Sequence, residues 1–465
     1  MKLHFLGANR QVTGSRYCLE VGRSHVLIDC GLFQERDFLD RNWQPSPVPA
    51  AKIDALLLTH AHIDHSGLIP RLVSQGFRAP IYATPPSVEL AEIVLRDSAE
   101  IQMEDALHKR ERHRKEGRQG KHPEVPLYTE QDVDRTLRRF GKITYNKPFD
   151  VCPGVKAVYR DAGHILGSAM IEVIVNENGH EQRIVFSGDI GQWNKPLMHD
   201  PSACTAADYV VMESTYGDRD HEHRGDVATQ LADIVTDTVA RGGNVIVPTF
   251  AVERAQELMY HLGRLQRAGR IPEIPVYLDS PMAVDVMDVF RRHQKYLDAA
   301  AWNEISAGQP PLDFRMLRLV RTVEDSKALN HVREPSFIMA TSGMCTGGRI
   351  KHHLRQNLPR AESTILFVGY QSRGTLGRQI LDGNRDVRIH GRQWPVRARV
   401  AQLTGLSAHA DRSGLMKWLS YFREAPRHLF LTHGEESVAL ALAEHVRSTL
   451  GWNVSVPQYG EVVVW

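Results

Sequence analysis

Residues 53–70 read IDALLLTHAHIDHSGLIP. An apolar run ends abruptly in His60, His62, Asp64 and His65, and an apolar pattern resumes behind them. The run has the continuity of a buried central strand, which places the polar cluster on the loop at its carboxyl end. His60 and His62 are two apart, so in extended chain both rings point the same way, towards one ion. Asp64 and His65 follow where the backbone turns, and can face a second. Imidazole nitrogen and carboxylate oxygen are ligands that zinc takes, and a catalytic zinc site keeps a position open for water. Ser66 is expected to cap a helix carrying Leu68, Ile69, Leu72 and Val73 on one face, with Pro70 in its first turn and Gly76 as its stop.

The same alternation runs outward in both directions. KLHFLG (2–7), SRYCLEVG (15–22) and SHVLIDCG (24–31) read as early strands divided by glycine and polar turns. RIVFSGD (183–189) ends in Asp189, DYVVMES (208–214) holds Glu213 near its end, and RHLFLTH (427–433) ends in His433. His164 sits in DAGHILGSA (161–169), a loop with flanking glycines. Open α/β architectures gather their sites at the carboxyl ends of strands, where loops converge. The middle of the chain repeats strand and helix in GGNVIVPTF (242–250), IPVYLDSPMAVDVMDVF (274–290), SFIMATSGMCTGGRIKHHL (336–354) and STILFVGYQSRGTLGRQIL (363–381), the pattern of a parallel sheet. In the first of these units the helix is expected to carry Val252, Ala255, Leu258, Met259 and Leu262 on one side. In the second, Ser280 caps the helix with Pro281 at its first position. Residues 100–122 are a charged insertion expected to be helical.

A chain of 465 residues exceeds one ordinary core, so two compact units are expected. Hydrophobic content of 42% and charged content of 24% are those of a globular protein. With a formal net charge of +2, any nucleic-acid site must be a local patch. No stretch is apolar enough to cross a bilayer, and MKLHFLGANRQ lacks the apolar middle of a secretory signal. Cys18, Cys30, Cys152, Cys204 and Cys345 are scattered with no C-x-x-C pair, which argues against a disulfide framework and for a reducing cytoplasm.

The cluster His60, His62, Asp64 and His65 resembles the signature of the metallo-β-lactamase fold. VLIDCG with Asp29, AGHILGSA with His164 and FSGDIG with Asp189 resemble its other motifs, in the right order. ESTYG (213–217), GLSAHAD (405–411) and LTHGE (431–435) resemble the three extra motifs of the β-CASP nucleases. PTFAVERAQE, YLDSPMA, TSGMCTGGR and GYQSRGTLGR resemble the RNA-processing branch of that group, in its compact bacterial form. The implied fold is α/β: an αββα sandwich with an inserted β-CASP domain of mainly parallel sheet flanked by helices. The implied boundaries are 1–216 and 403–465 for the sandwich and 217–402 for the insert, which would close as a lid.

The resemblance implies a two-metal centre. His60, His62 and His164 would hold one ion, Asp64, His65 and His433 the other, and Asp189 would bridge them, with Asp29 orienting the ligand loop from behind. Two zinc ions are implied, with manganese or iron able to take similar ligands. A hydroxide shared by the metals would attack phosphorus. His409, held and charged by Glu213, would give the departing 3′ oxygen its proton, leaving 5′-phosphate and 3′-hydroxyl ends. Phosphate contacts are expected from Gly347, Gly348, Arg349, Arg373, Arg378 and Arg254 of the insert, and from Ser407. The implied activity is cleavage of single-stranded RNA in processing or decay, endonucleolytic, 5′-to-3′ exonucleolytic or both. The inserted region and His433 favour RNA over the other substrates of the fold. The alternatives are a hydrolase of DNA or a small ester on the same fold, and an RNA-binding subunit that does not cut. A homodimer is left open.

Overall fold

The computed structural model describes residues 1–177, 180–221, 226–371 and 374–465. The chain divides into two compact units: Met1–Asn194 with His199–Asp220 and His409–Trp465, and Lys195–Met198 with His221–Ala408.

Among the described residues, the first unit holds two seven-stranded sheets. In one, Lys2–Gly7, Arg16–Val21 and Ser24–Ile28 form an antiparallel meander, as expected from their turns. Ala55–Leu57, Ile81–Ala83 and Phe140–Lys142 then add in parallel, and Val462–Val464 closes the other edge against Lys2–Gly7. In the second sheet, Phe149–Cys152, Val155–Asp161, Ala169–Glu177 and His180–Phe186 are antiparallel neighbours. Tyr209–Glu213, His428–Thr432 and Val454–Ser455 continue it in parallel.

Alternation along these strands sends Leu3, Phe5, Leu19 and Ile28 of one sheet and Ala157, Ile171, Val173 and Phe186 of the other into one shared core. The outer face of the second sheet carries Val185, Val210 and Met212 against the helices Arg412–Leu419 and Glu436–Leu450, through Leu415, Trp418, Leu442 and Val446. Helices Ile69–Ser74, Pro85–Glu116 and Glu130–Leu137 belong to the first sheet's side, giving the αββα arrangement.

The second unit is built on a six-stranded parallel sheet in the order Leu317–Val320, Val276–Asp279, Phe337–Ala340, Val245–Pro248, Thr364–Phe367, Arg399–Gln402. Ser280 caps Pro281–Arg292 as expected, accepting the Ala283 N–H. Among the described residues no helix is long and apolar enough to cross a membrane.

Four local expectations need correction. Ser66 does not cap the helix Ile69–Ser74; it ends a preceding short helix, and its hydroxyl donates back to the Ala61 and His62 carbonyls. Asp189 lies beyond the strand that ends at Phe186, on the following loop. Val252 precedes its helix, which begins at Arg254. The charged insertion is helical as expected only to Glu116, as the second half of Pro85–Glu116, an unbroken helix of 32 residues; Gly117, with a left-handed φ of 63°, ends it, and residues 117–122 are not helical.

Candidate metal centre

Loops at the carboxyl ends of both sheets of the first unit supply the site. Their close packing depends on missing side chains: a Cβ on Gly31 would stand 1.6 Å from the Asp64 carbonyl oxygen, and one on Gly191 would stand 1.9 Å from that of Gly163. Backbone bonds fix the approach, Ala169 N–H to Thr59 O at 2.9 Å and Ser214 N–H to His433 O at 3.3 Å.

Two groups of donors result. His60 Nε2 and His164 Nε2 lie 3.1 and 3.2 Å from His62 Nδ1. Both are 3.4 Å from Asp189 Oδ2. In the second group His65 Nε2 is 3.2 Å from His433 Nε2, which lies 3.4 Å from Asp64 Oδ2. The other oxygen of Asp189, Oδ1, faces this group at 3.2 Å from His65 and 3.6 Å from His433. One carboxylate therefore turns one oxygen to each set. The ligating atoms within each group all lie within 4.8 Å of one another.

The donor set fits cations. Three imidazole nitrogens of the first group converge with too few protons to bond one another, and Asp189 Oδ1 is buried without a hydrogen bond. Burial pulls His60 well below the ordinary histidine range and His62 down to about 4, so both are neutral. Burial would raise Asp64, but the hydrogen bond from His433 and the charge of His65 hold it below the carboxylate range. Asp189 is likewise held down against burial by His433, His65 and His409. Neutral imidazole and ionised carboxylate are the forms that ligate metal. In the second group burial would lower both rings, but Asp189 and Asp29 push His65 well up, and Asp189 and Asp64 push His433 up, so a cation there would take the place of protons on these rings.

The surrounding hydrogen bonds aim the rings. His65 donates from Nδ1 to Asp29 Oδ2 at 2.7 Å, which turns its Nε2 inward. Asp29 also accepts the Thr59 amide and hydroxyl, each at 2.8 Å. On the other side Glu213 accepts the Ile190 amide at 2.5 Å and His409 Nδ1 at 3.0 Å. Thr215 donates to the same carboxylate at 2.6 Å and meets His433 Nδ1 at 3.0 Å. With the Thr215 proton on Glu213, His433 donates from Nδ1, so His409 and His433 both present Nε2 to the site. His409 Nε2 stands 3.9 Å from Asp189 Oδ2. Burial lowers the His409 pKa, but Glu213 and Asp189 outweigh it and push it up to about 9. Thr215, Thr59 and Ser168 were not singled out from the sequence. Ser168 accepts the His164 amide at 3.1 Å. Their signal was position alone, each standing one to four residues from a candidate ligand or from Glu213.

The expected phosphate contacts divide differently. Arg349 does not stand free for an anion: it donates to Asp279 Oδ1 at 2.7 Å and to the Arg321 carbonyl at 2.7 Å. Arg378 pairs with Asp382 at 2.9 Å, and Arg254 donates to the Val368 carbonyl. Gly348 is required where it stands, since at φ +73° a Cβ would lie 2.4 Å from the Thr341 oxygen. The Gly347 N–H lies 3.4 Å from Ser342 Oγ. Ser407 is half-buried in the second unit, and Arg373 lies outside the described residues.

Three family models match the chain: a metallo-beta-lactamase superfamily domain over residues 18–196, a Beta-Casp domain over 255–380, and a Zn-dependent metallo-hydrolase RNA specificity domain over 393–457. The chain is 37% identical over 463 residues to Ribonuclease TTHA0252 of Thermus thermophilus, covering 100% of each chain. It is 31% identical over 457 residues to transcription termination factor FttA of Methanosarcina mazei, covering 96% of this chain and 68% of that protein. The FttA of Methanocaldococcus jannaschii is 32% identical over 470 residues, with 98% and 70% covered. In fold, the chain is similar to a protein of unknown function from Enterococcus faecalis V583, with a TM-score of 0.58 at 12% identity, covering 100% of this chain and 99% of that one.

Proposed function

The chain belongs to the β-CASP group of the metallo-β-lactamase superfamily, and on that premise we propose that it is a ribonuclease hydrolysing phosphodiester bonds of single-stranded RNA with two zinc ions. The observation that carries this reading is Asp189, whose two oxygens face two separate donor sets beside a charged histidine. His60, His62, His164 and Asp189 would hold one ion, and Asp64, His65, His433 and Asp189 the other. When bound, such a pair lowers the pKa of a shared water and neutralises charge on a phosphodiester.

The chain's own residues do the rest. Asp29 and Thr215 fix the rings of His65 and His433 so that one nitrogen of each points inward. His409 is the proton donor to the departing 3′ oxygen, which leaves 5′-phosphate and 3′-hydroxyl ends. Glu213 keeps that imidazole charged and orients it, since its carboxylate accepts the Nδ1–H hydrogen bond and leaves Nε2–H facing the reaction. Five unpaired cysteines support action in the reducing cytoplasm.

The test is incubation of zinc-loaded protein with single-stranded RNA and DNA of matched sequence, each labelled separately at its 5′ and 3′ ends, with Asp64→Ala alongside. Cleavage of RNA by the parent and not by the variant is expected, and the label pattern separates endonucleolytic from exonucleolytic cutting. Cleavage of DNA alone, or of neither, would overturn the reading.

A further inference from the structure

The long helix Pro85–Glu116 uses only its first half for packing. Pro86, Leu90, Ala91, Val94, Leu95 and Ala99 are buried, whereas beyond Gln102 only Ala106 and His113 are. Its start is tied to the loop of His164, where Thr84 and Ser87 hydroxyls donate to the Gly167 carbonyl at 2.6 and 2.8 Å. From Pro85 the helix rises 1.5 Å per residue, so Lys109 to Lys115 stand roughly 36–45 Å along it.

That far end is a built arm. The segment after Gly117 folds back beneath it: Glu124 accepts His113 Nδ1 at 2.5 Å, and Asp40 pairs with Lys121 and, at 2.6 Å, with His122. His122 stacks on Trp43 with ring centroids 5.2 Å apart and planes within 7°. These contacts neutralise the underside. The rest of its circumference is left positive: Lys109, Arg112, Arg114 and Lys115 are exposed, and among the described residues none of these side chains has an ion pair or hydrogen bond. Glu111 is the only carboxylate between Lys109 and Lys115, and Glu116 is taken by Arg118 at 2.6 Å.

We propose that this basic arm is a second RNA site, a contact for the phosphate backbone remote from the point of cleavage. The inference rests on the ribonuclease reading, and it makes the enzyme favour long strands over short ones. In a chain of net charge +2 such a concentration of unneutralised cations is local, and its complement is a polyanion. A lipid surface fits less well, because residues 108–116 include no large apolar side chain to enter a membrane, and the exposed Ile101, Met103 and Leu107 precede the basic turns. At about 3.4 Å per stacked nucleotide, a strand reaching from the His164 loop to the arm spans roughly ten nucleotides or more.

The experiment compares the zinc-loaded parent with the fourfold variant Lys109→Gln, Arg112→Gln, Arg114→Gln, Lys115→Gln. The readout is kcat/KM against salt concentration for a long RNA and for one of about five nucleotides. The slope of log kcat/KM against log salt is expected to lose about 3 in magnitude for the long RNA, at ~0.7 per cation. A fourfold rise in salt then costs the parent roughly fifty-fold more than the variant. The short RNA is cut equally by both, and Lys109→Arg with Lys115→Arg behaves as the parent. A parent that cuts RNA while the fourfold variant keeps its long-RNA slope would overturn the second site and leave the ribonuclease reading intact. A parent that cuts no RNA sinks both. Binding of the parent to phosphatidylserine vesicles, lost in the variant while the RNA slope stands, would reassign the arm to lipid.

Discussion

Each unit buries an aspartate against histidine at the carboxyl end of a strand or on the loop after it, and the two clusters are opposite in kind. Several imidazoles stand about Asp189, and His353 stands beside Asp279. In the first unit Asp189 and its neighbours leave nitrogen facing nitrogen and one carboxylate oxygen without a donor. In the second, Asp279 is fully enclosed and satisfied: Arg349 reaches Oδ1 at 2.7 Å, while His353 and Ser326 each reach Oδ2 at 2.6 Å. Burial opposes ionisation of Asp279, yet its three donors hold it below the ordinary carboxylate range. Both places pair a buried aspartate with histidine, but the second adds Arg349 and Ser326 where the first has further imidazoles. What separates a ligand set from a structural knot is whether the lone pairs already have protons to bind.

The largest test of that contrast is Asp189→Ala. It should remove bound metal and lower RNA cleavage by roughly 10³-fold or more, the scale of several kcal/mol of charge stabilisation. Metal analysis and kcat on the same preparation check it. His409→Ala should follow, with kcat reduced by about 10²–10⁴-fold while metal content and RNA affinity stay at the parent's level. Glu213→Gln should fall between it and the parent.

The reverse behaviour is expected of Asp279→Ala. Metal content should not change, but denaturant unfolding should lose about 3–5 kcal/mol, because Arg349 is left without its counter-charge and His353 without its hydrogen-bond acceptor. A cleavage defect with unaltered stability would break the comparison. The smallest effect concerns Glu253, buried in the second unit beside Glu257 and Lys195 with its Oε2 unbonded. Burial, reinforced by Glu257, pushes its pKa from 4.5 up to about 8. The folded protein therefore holds this proton more tightly than the unfolded chain. The stability it contributes is complete below 4.5 and is lost as pH rises through 8. Glu253→Gln should flatten that loss, leaving the variant more stable than the parent by roughly 2–4 kcal/mol near pH ~9 in parallel denaturation curves.

Much of this contrast was legible in advance, and the reason is local. Asp29, His60, His62, Asp64, His65, His164, Asp189, Glu213 and His433 stand at or after apolar strand runs, where spacing and residue type carry chemical meaning, whereas His409 is marked only by the resemblance of GLSAHAD to a β-CASP motif. The structure brings them together. The parallel sheet of the second unit was legible too, from repeated strand and helix periods. What the sequence hid was long-range pairing. Arg349 follows two glycines at a helix start and reads as an anion contact; only the fold reveals Asp279, on a different strand, as its partner. Ser66 reads as a cap because serine before an apolar run commonly is one, yet the ligand loop makes its own turn and takes that hydroxyl. The antiparallel strands Val155–Asp161 and Ala169–Glu177 flank a glycine-rich loop whose turn signals are stronger than their own alternation.

The most direct test of the central claim is a metal titration. Chelated protein is reloaded stepwise with zinc, and bound ions per chain are measured alongside RNA cleavage in the same samples. Two ions per chain, with cleavage rising only as the second set fills and neither seen in Asp189→Ala, is the expected result. Full cleavage by the chelated protein, or no RNA cleavage with both ions bound, would contradict it.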